Sequence, residues 1–534
     1  MKRLILILAV LLVVWGPLAP VEVRAQETKF YTTPQGSNTN SGSTTNQHAL
    51  FSFANGNWDG NSNFICAATP DLSGVTAGMW AAIMDDGVTN APYFARIVTV
   101  NDGTDTITIL EQSGSGTKPA SGATGKTLNI GGALRGPTGT DMTPFGVFGG
   151  NMTNASGHPL LVNMKGDMSE AADYIIQGPL THNKGGFFRV EGYTNDPGDI
   201  RAAVLAAGNP YVITNLFLPT IHGDTNGAFT LYTPFNFTSD GLSLWFICLS
   251  GGGSGPGATA TNEMVRCAGN TGFYFVRVRR SWRSGIHFVT AGCEAFWCEG
   301  TECNIDAAQA NAPFKMSAGG IFAWCFAHHN AFNAGDTGND GFFLVADNDE
   351  TMTVLNCISA WNNGSGLELS GTSGRAEIIN FTAYRNTQDG IRSDMSSSGS
   401  VGLTNDTTVN IINLLSISNG LFGARGIGAT RDGPGYPRLI NAWMCANTNG
   451  PYTNIASQNI IGGGNLSEIP FNDADAGDFS LKPSSAAIRA GLGVFLQNTN
   501  FTKRTLSFPS AGAAEPTNTA SASITVRGAG PFIR

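Results

Sequence analysis

Apolar and polar positions along the middle of the chain follow a repeat. Four segments align without gaps: Trp324-Cys325-Phe326-Ala327-His328-His329-Asn330, Asn356-Cys357-Ile358-Ser359-Ala360-Trp361-Asn362, Asn380-Phe381-Thr382-Ala383-Tyr384-Arg385-Asn386 and Asn413-Leu414-Leu415-Ser416-Ile417-Ser418-Asn419. Downstream of most comes Gly followed by apolar, any, apolar, at Gly285-Ile286-His287-Phe288, Gly341-Phe342-Phe343-Leu344 and Gly366-Leu367-Glu368-Leu369, with a variant at Gly390-Ile391-Arg392-Ser393. The last three of these glycines stand 25 and 24 residues apart.

A short strand alternates inward and outward, a Gly or Asn turns the chain, and three such strands with their turns use roughly two dozen residues. The spacing therefore predicts one coil of a solenoid per repeat, with equivalent residues about 4.8 Å apart along the stack. Asn330, Asn362, Asn386 and Asn419 then form a ladder whose amides bond to neighbouring amides or turn backbone. Cys325, Cys357, Phe381 and Leu414 line the core. Long helices are nearly absent from the pattern, so the expected fold class is all-β, a right-handed parallel β-helix. Intervals of 32 and 33 residues flank the 24-residue one between the ladder asparagines. They imply longer loops, of the kind that line binding clefts.

Further stretches tie the chain to a known group. Phe30-Tyr31-Thr32-Thr33-Pro34-Gln35-Gly36-Ser37-Asn38-Thr39-Asn40-Ser41-Gly42 looks like an opening strand and its Asn/Gly-rich turn. Gly192-Tyr193-Thr194-Asn195-Asp196-Pro197-Gly198-Asp199 is similar to a turn between early coils. Residues 478–491 look like a closing segment, and Arg504 with Gly512-Ala513-Ala514-Glu515 resembles its last element. In these features the chain resembles the right-handed parallel β-helix proteins that include pectate lyases and other secreted polysaccharide-active proteins. That resemblance implies the fold and carries no catalytic residue: the clustered acids and catalytic Lys or Arg of the calcium-dependent lyases have no matching stretch here. Residues 72–130 interrupt it, with strand-like alternation at 80–84, 95–100 and 106–110 around an Asn101-Asp102-Gly103 turn. The expected organisation is a signal peptide (1–25), an N-terminal cap (26–71), a small β insertion or capping subdomain (72–130), the helix body (131–491) and a closing segment with a tail (492–534).

Met1-Lys2-Arg3, an apolar run over 4–15 and Val23-Arg24-Ala25 before Gln26 read as a cleavable secretory signal. The expected location is extracellular or at the cell surface, with no membrane-spanning run after cleavage. Formal net charge is −9; removing residues 1–25 takes away three positive charges and one negative and leaves −11. Nucleic acid is therefore not expected as a partner. Charged residues are only 13% of the chain, whereas Gly supplies 69 of 534, as suits many short strands and tight turns. Nine Cys are an odd number, so at least one is free or pairs between chains. Cys293, Cys298 and Cys303 lack the short spacing of structural zinc sites and read as buried small hydrophobes.

Candidate chemistry comes from outward strand positions. After each repeat Gly the first apolar residue points in and the next points out. His287, Phe343, Glu368, Arg392 and Phe422 are thus expected on one exterior ladder. Glu368 beside Arg392 suits a sugar site, or a general base with charge stabilisation, against the plainer reading of a surface ion pair. Arg277, Arg279, Arg280 and Arg283 form a basic run, with Val276 and Val278 turned inward, on which an anionic polymer could lie. Asp347, Asp349 and Glu350 are weak calcium candidates, and no other cofactor is called for. His328 and His329, adjacent on a strand, are expected to face opposite ways. Two function classes stay open. The first is a non-catalytic adhesion, matrix or fibre protein, with a polysaccharide or cell-surface component as partner; the second is a polysaccharide lyase or glycosidase. The segment 517–534, with one strand-like run at 522–526, is expected to mediate self-association or attachment.

Overall fold

The computed structural model describes residues 28–33, 49–135, 160–207, 217–303, 312–394, 408–426 and 438–487, with internal breaks of which 224–234 and 252–262 are the longest. The signal segment 1–25, the turn 34–42, Asp347, Asp349, Arg504, residues 512–515 and the segment 517–534 lie outside the described residues.

The chain is nearly all β and its body is a right-handed parallel β-helix with three strands per coil. One coil runs through Thr351–Leu355 on a first sheet, Ile358–Ala360 on a second and Leu367–Ser370 on a third. The next coil repeats this at Arg375–Ile379, Thr382–Tyr384 and Ile391–Asp394, in parallel register, with Met352 beside Ala376, Ile358 beside Thr382 and Leu367 beside Ile391. Among the described residues the third sheet has ten strands, from Leu180–His182 to Gly450–Thr453. Inward residues of all three sheets form one core, in which Cys325, Cys357, Phe381 and Leu414 take their expected places. All nine Cys are buried and free, Cys293, Cys298 and Cys303 within that same core.

Two corners give the coil its shape. Between the second and third sheets Asn330, Asn362, Asn386, Asn419 and Asn447 stack as a ladder, each Nδ2 donating to the Oδ1 of the next at 2.7 to 3.0 Å. The residue before each, from His329 (φ 52) through Trp361 (φ 55) and Arg385 (φ 49) to Ser418 (φ 56), is left-handed. Between the first and second sheets a second ladder, Asn356, Asn380, Asn413 and Asn441, is left-handed itself and linked at 2.8 Å per step. In the preceding coils Phe246, Phe275, Trp297 and Trp324 take that corner instead, with ring centroids 4.9 to 5.3 Å apart. Amide bonding and ring stacking are thus interchangeable at one position of the coil.

The repeat glycines follow from the first ladder. A Cβ at Gly366 would lie 2.4 Å from the Gly390 carbonyl oxygen and 3.0 Å from Asn386 Nδ2, and one at Gly390 would meet Asn419 Nδ2 at 3.0 Å. The interior beside the asparagines holds no side chain there.

The opening strand Thr28–Thr33 belongs to the helix, pairing in parallel with Leu160–Lys165. Between them sits a closed six-stranded antiparallel barrel, built on Trp58, Phe64, Ile97, Ile107 and Leu128. It begins earlier than the boundary at residue 72 expected from sequence. Phe51–Trp58 pairs with Ala123–Ile130, and Asn63–Ile65 pairs with Thr106–Ser115, so both early strands are barrel rather than cap. At the other end the hairpin of Phe471–Asp473 and Asp478–Leu481 folds back along the outside of the second sheet. Phe471 and Phe479 pack on Tyr384, whose hydroxyl donates to Asp475 at 2.9 Å. Among the described residues no helix is long and apolar enough to cross a membrane.

Ile391 is 1% exposed within the shared core. Ile391→Asp is expected to cost several kcal/mol by placing an unpaired charge between coils. Chemical denaturation checks this, and a variant as stable as the parent would contradict the inward register.

Candidate functional site

Strand alternation sends the middle residue of each third-sheet strand outward, and parallel register stacks these residues in a row. The row runs Asn236, Arg266, His287, Lys315, Phe343, Glu368, Arg392 and Arg425, each directly beside the next. Four of the five residues expected there, His287, Phe343, Glu368 and Arg392, are in it. Phe422 is not. It pairs with Gly450, and the ladder place belongs to Arg425, because the inward residue of that strand is Ala424, which stands beside Ile391.

Sequence reasoning missed Arg266, Lys315 and Arg425. The first two strands follow Met264 and Pro313 rather than Gly, so a search anchored on Gly passes over them, although Val265-Arg266-Cys267 and Phe314-Lys315-Met316 have the same apolar, any, apolar pattern.

The row is a chain of charge contacts. Arg392 Nη1 lies 3.6 Å from Glu368 Oε2, Arg425 Nη1 lies 3.8 Å from Asp389 Oδ2, and Lys315 Nζ lies 3.9 Å from Glu263 Oε1 and 5.6 Å from the Phe343 ring centroid. The Glu368–Arg392 pair is not an exposed surface pair, because Glu368 is only 7% exposed. The carboxylates lie deeper than their cations. Side-chain exposure is 9% for Glu368 against 26% for Arg392, and 0% for Asp389 against 34% for Arg425.

Beneath the row, buried carboxyls anchor turns. Asp340 Oδ1 accepts the Ser365 N–H at 2.6 Å and Asp389 Oδ1 accepts the Phe422 N–H at 3.0 Å. Burial, and then the charge of Glu368, holds the Asp340 carboxyl well above the ordinary carboxylate range. Burial likewise raises Asp389.

At the upper part of the row His287 Nδ1 is hydrogen-bonded to Glu263 Oε1, and its Nε2 lies 2.8 Å from Ser317 Oγ. Burial lowers the His287 pKa below its usual value despite that carboxylate. Glu263 is lowered too: burial alone would raise it, but His287 and then Lys315 and Arg266 outweigh burial. Neither Glu263 nor Ser317 carries a sequence signal of its own.

The remaining candidates fall elsewhere. Arg277 and Arg279 lie on the second sheet, with Val278 inward between them, so they do not join Phe343 and Glu368. Arg277 Nε donates to Glu299 Oε2 at 2.6 Å, and His328 Nε2 lies 2.9 Å from Glu299 Oε1. Burial alone would raise Glu299, but His328 and Arg277 hold it below the ordinary range. His328 and His329 do not face opposite ways. The left-handed turn at His329 brings the two Nδ1 atoms to 2.8 Å on the outer side. Glu350, the described calcium candidate, accepts the Gly319 N–H at 2.5 Å. Among the described residues no three His, Cys, Asp or Glu side chains group as metal ligands.

Fold and row together define a right-handed parallel β-helix protein with a charged outer ladder on its third sheet. No family model and no curated protein sequence matches the chain. Solved structures similar to it include the periplasmic alginate epimerase AlgG, at 12% identity and TM-score 0.30, over 58% of this chain and 76% of that one. The catalytic unit of a GH87 alpha-1,3-glucanase from Streptomyces thermodiastaticus matches at 11% identity and TM-score 0.30, over 79% and 86%. The A-module of the Azotobacter vinelandii mannuronan C-5 epimerase AlgE4 matches at 11% and 0.26, over 61% and 99%. At these values none of them assigns an activity to this chain.

Because the Asp340 pKa is raised on folding, the stability its proton contributes is complete below the ordinary value of 3.8 and is lost as pH rises through the raised value. Asp340→Asn keeps an oxygen for Ser365 and removes that loss. Its melting temperature is expected to fall less than that of the parent between about pH 4 and pH 8. Parallel melting curves across that range would contradict the raised carboxyl.

Proposed function

We propose that the protein is exported and binds an anionic extracellular or cell-surface polysaccharide along the outer row of its third sheet, as an adhesion, matrix or fibre component. One observation carries this reading: in the ion pairs of the row the cation is the more exposed partner, and Arg266 adds an exposed guanidinium with Phe343 among the cations. Solvent therefore meets positive charge on this face although the chain as a whole is negative. Field from such a row concentrates a polyanion and aligns it, since rungs about 4.8 Å apart present a regular polymer with a charge or an aromatic ring at successive positions.

Cleavage of the polymer backbone is not part of this reading. Asp340 and Asp389 are fully buried and committed to turn N–H groups, and Glu368 is buried beside Arg392. Self-association through residues 517–534, expected from sequence, remains a proposal of the same kind.

The test is affinity for acidic and neutral polysaccharides by calorimetry. An acidic polymer is expected to bind, more weakly at high salt because exposed charges are screened. The double variant Lys315→Ala/Arg392→Ala is expected to lose about tenfold or more, equivalent to about 1.4 kcal/mol. Binding that ignores salt and both substitutions, or that favours neutral polymers, would overturn the assignment.

A further inference from the structure

We propose that Glu263, His287 and Ser317 form an acyl-transfer site, with Ser317 as nucleophile, that removes ester substituents from the sugar lying on the third sheet. The three residues come from successive coils. Glu263 stands just before the strand Val265–Cys267, His287 is the middle of Ile286–Phe288, and Ser317 directly follows Phe314–Met316. Parallel stacking alone brings them together, 24 and 30 residues apart in sequence.

The hydrogen bonds fix the proton positions. Glu263, held ionised by His287, Lys315 and Arg266, can only accept, so the proton on the His287 ring is at Nδ1. Burial keeps the ring neutral at neutral pH, which leaves the lone pair on Nε2. Ser317 Oγ, 2.8 Å away, donates its hydrogen to that lone pair. A hydroxyl bonded to a neutral imidazole whose far nitrogen is oriented by a carboxylate is the arrangement that activates a serine. His287 is buried while Ser317 is half-buried. Lys315, the outward residue of the strand that ends just before Ser317 and 3.9 Å from Glu263 Oε1, supplies a cation beside the site for the oxyanion.

The chemistry balances without a cofactor. His287 Nε2 takes the Ser317 proton as Oγ bonds to the ester carbonyl carbon. The tetrahedral intermediate collapses, the bond from that carbon to the sugar oxygen breaks, and the sugar hydroxyl leaves with the proton from Nε2. Water then attacks the acyl-Ser317 ester, again passing its proton through Nε2, and releases a carboxylic acid and the free serine. The cations of the row select an acyl ester carried by an acidic polymer. That choice of polymer rests on the binding reading above; the three-residue site does not.

Two measurements on the full chain test the proposal. The intact protein is treated with a fluorophosphonate, and hydrolysis of 4-nitrophenyl acetate is followed against pH. One phosphonyl group per chain is expected on the peptide containing Ser317. Hydrolysis is expected to show an acid limb with its midpoint below 6.5, the ordinary histidine value, because burial of the ring, with Lys315 and Arg266, outweighs the Glu263 carboxylate. Ser317→Ala is expected to lose about a hundredfold or more. Absence of label, label elsewhere, or parental hydrolysis by Ser317→Ala would overturn the site, and the labelling arm does not depend on any variant folding. Acetate release is then compared between acidic and neutral O-acetylated polysaccharides. Equal release from both would overturn the polymer choice alone. Absent label alongside salt-sensitive polymer binding would overturn the site and leave the binding reading standing.

Discussion

The structure depends on the asparagine amides stacked at the corner between the second and third sheets. Each Oδ1 accepts two hydrogens from the coil before it: the Asn362 N–H at 3.2 Å and Asn362 Nδ2 at 2.9 Å both reach Asn386 Oδ1. Each Nδ2 also donates inward, as Asn362 does to Ser359 Oγ at 2.8 Å. A left-handed residue costs roughly 1–2 kcal/mol in an L-chain, and Trp361, Arg385 and Ser418 all adopt that conformation beside the ladder. A buried amide left without partners would cost as much or more. The corner therefore holds only while every rung is present, and its closure sets the starting point of the third-sheet strands from Phe342–Val345 onward.

From that constraint the outer row follows. The ladder leaves no space for a Cβ at Gly341, Gly366 or Gly390, the chain enters the strand at the same height in each coil, and alternation then fixes which side chain points out. Glu368 lies over Asp340 and beside Arg392 for this reason; His287, Glu263 and Ser317 lie on coils before the ladder begins at Asn330 and meet through the parallel register alone. The second sheet follows the same rule with different contents. Its outer side carries the Arg277–Glu299–His328 contacts and, further along, an apolar patch on which Phe471 and Phe479 pack.

What the sequence made legible is what repeats at a fixed offset. Asn330, Asn362, Asn386 and Asn419 close aligned seven-residue segments, so their ladder and the core places of Cys325, Cys357, Phe381 and Leu414 could be read directly; Asn447 closes a fifth segment of the same form, Asn441-Ala442-Trp443-Met444-Cys445-Ala446-Asn447, which the reading of the sequence passed over. Features built from contacts between unlike segments could not be read. The barrel boundary depends on pairing Phe51 with Ile130, and the hairpin position on Tyr384 meeting Asp475, 91 residues later. Lys315 and Arg266 sit on strands without the glycine that marked the others, and the ladder place falls three residues after Phe422, at Arg425. The burial of Glu368 was hidden as well, since alternation gives the side a residue faces and not what lies around it.

The central claim is that the third-sheet row is the surface that meets the polymer. A crystal structure of the protein with a bound acidic oligosaccharide tests it most directly. The account predicts the sugar chain running along the helix axis over His287, Lys315, Phe343 and Arg392, its acidic groups against Lys315, Arg392 or Arg425. An oligosaccharide seated instead on the second sheet, against Arg279 and His329, would contradict it.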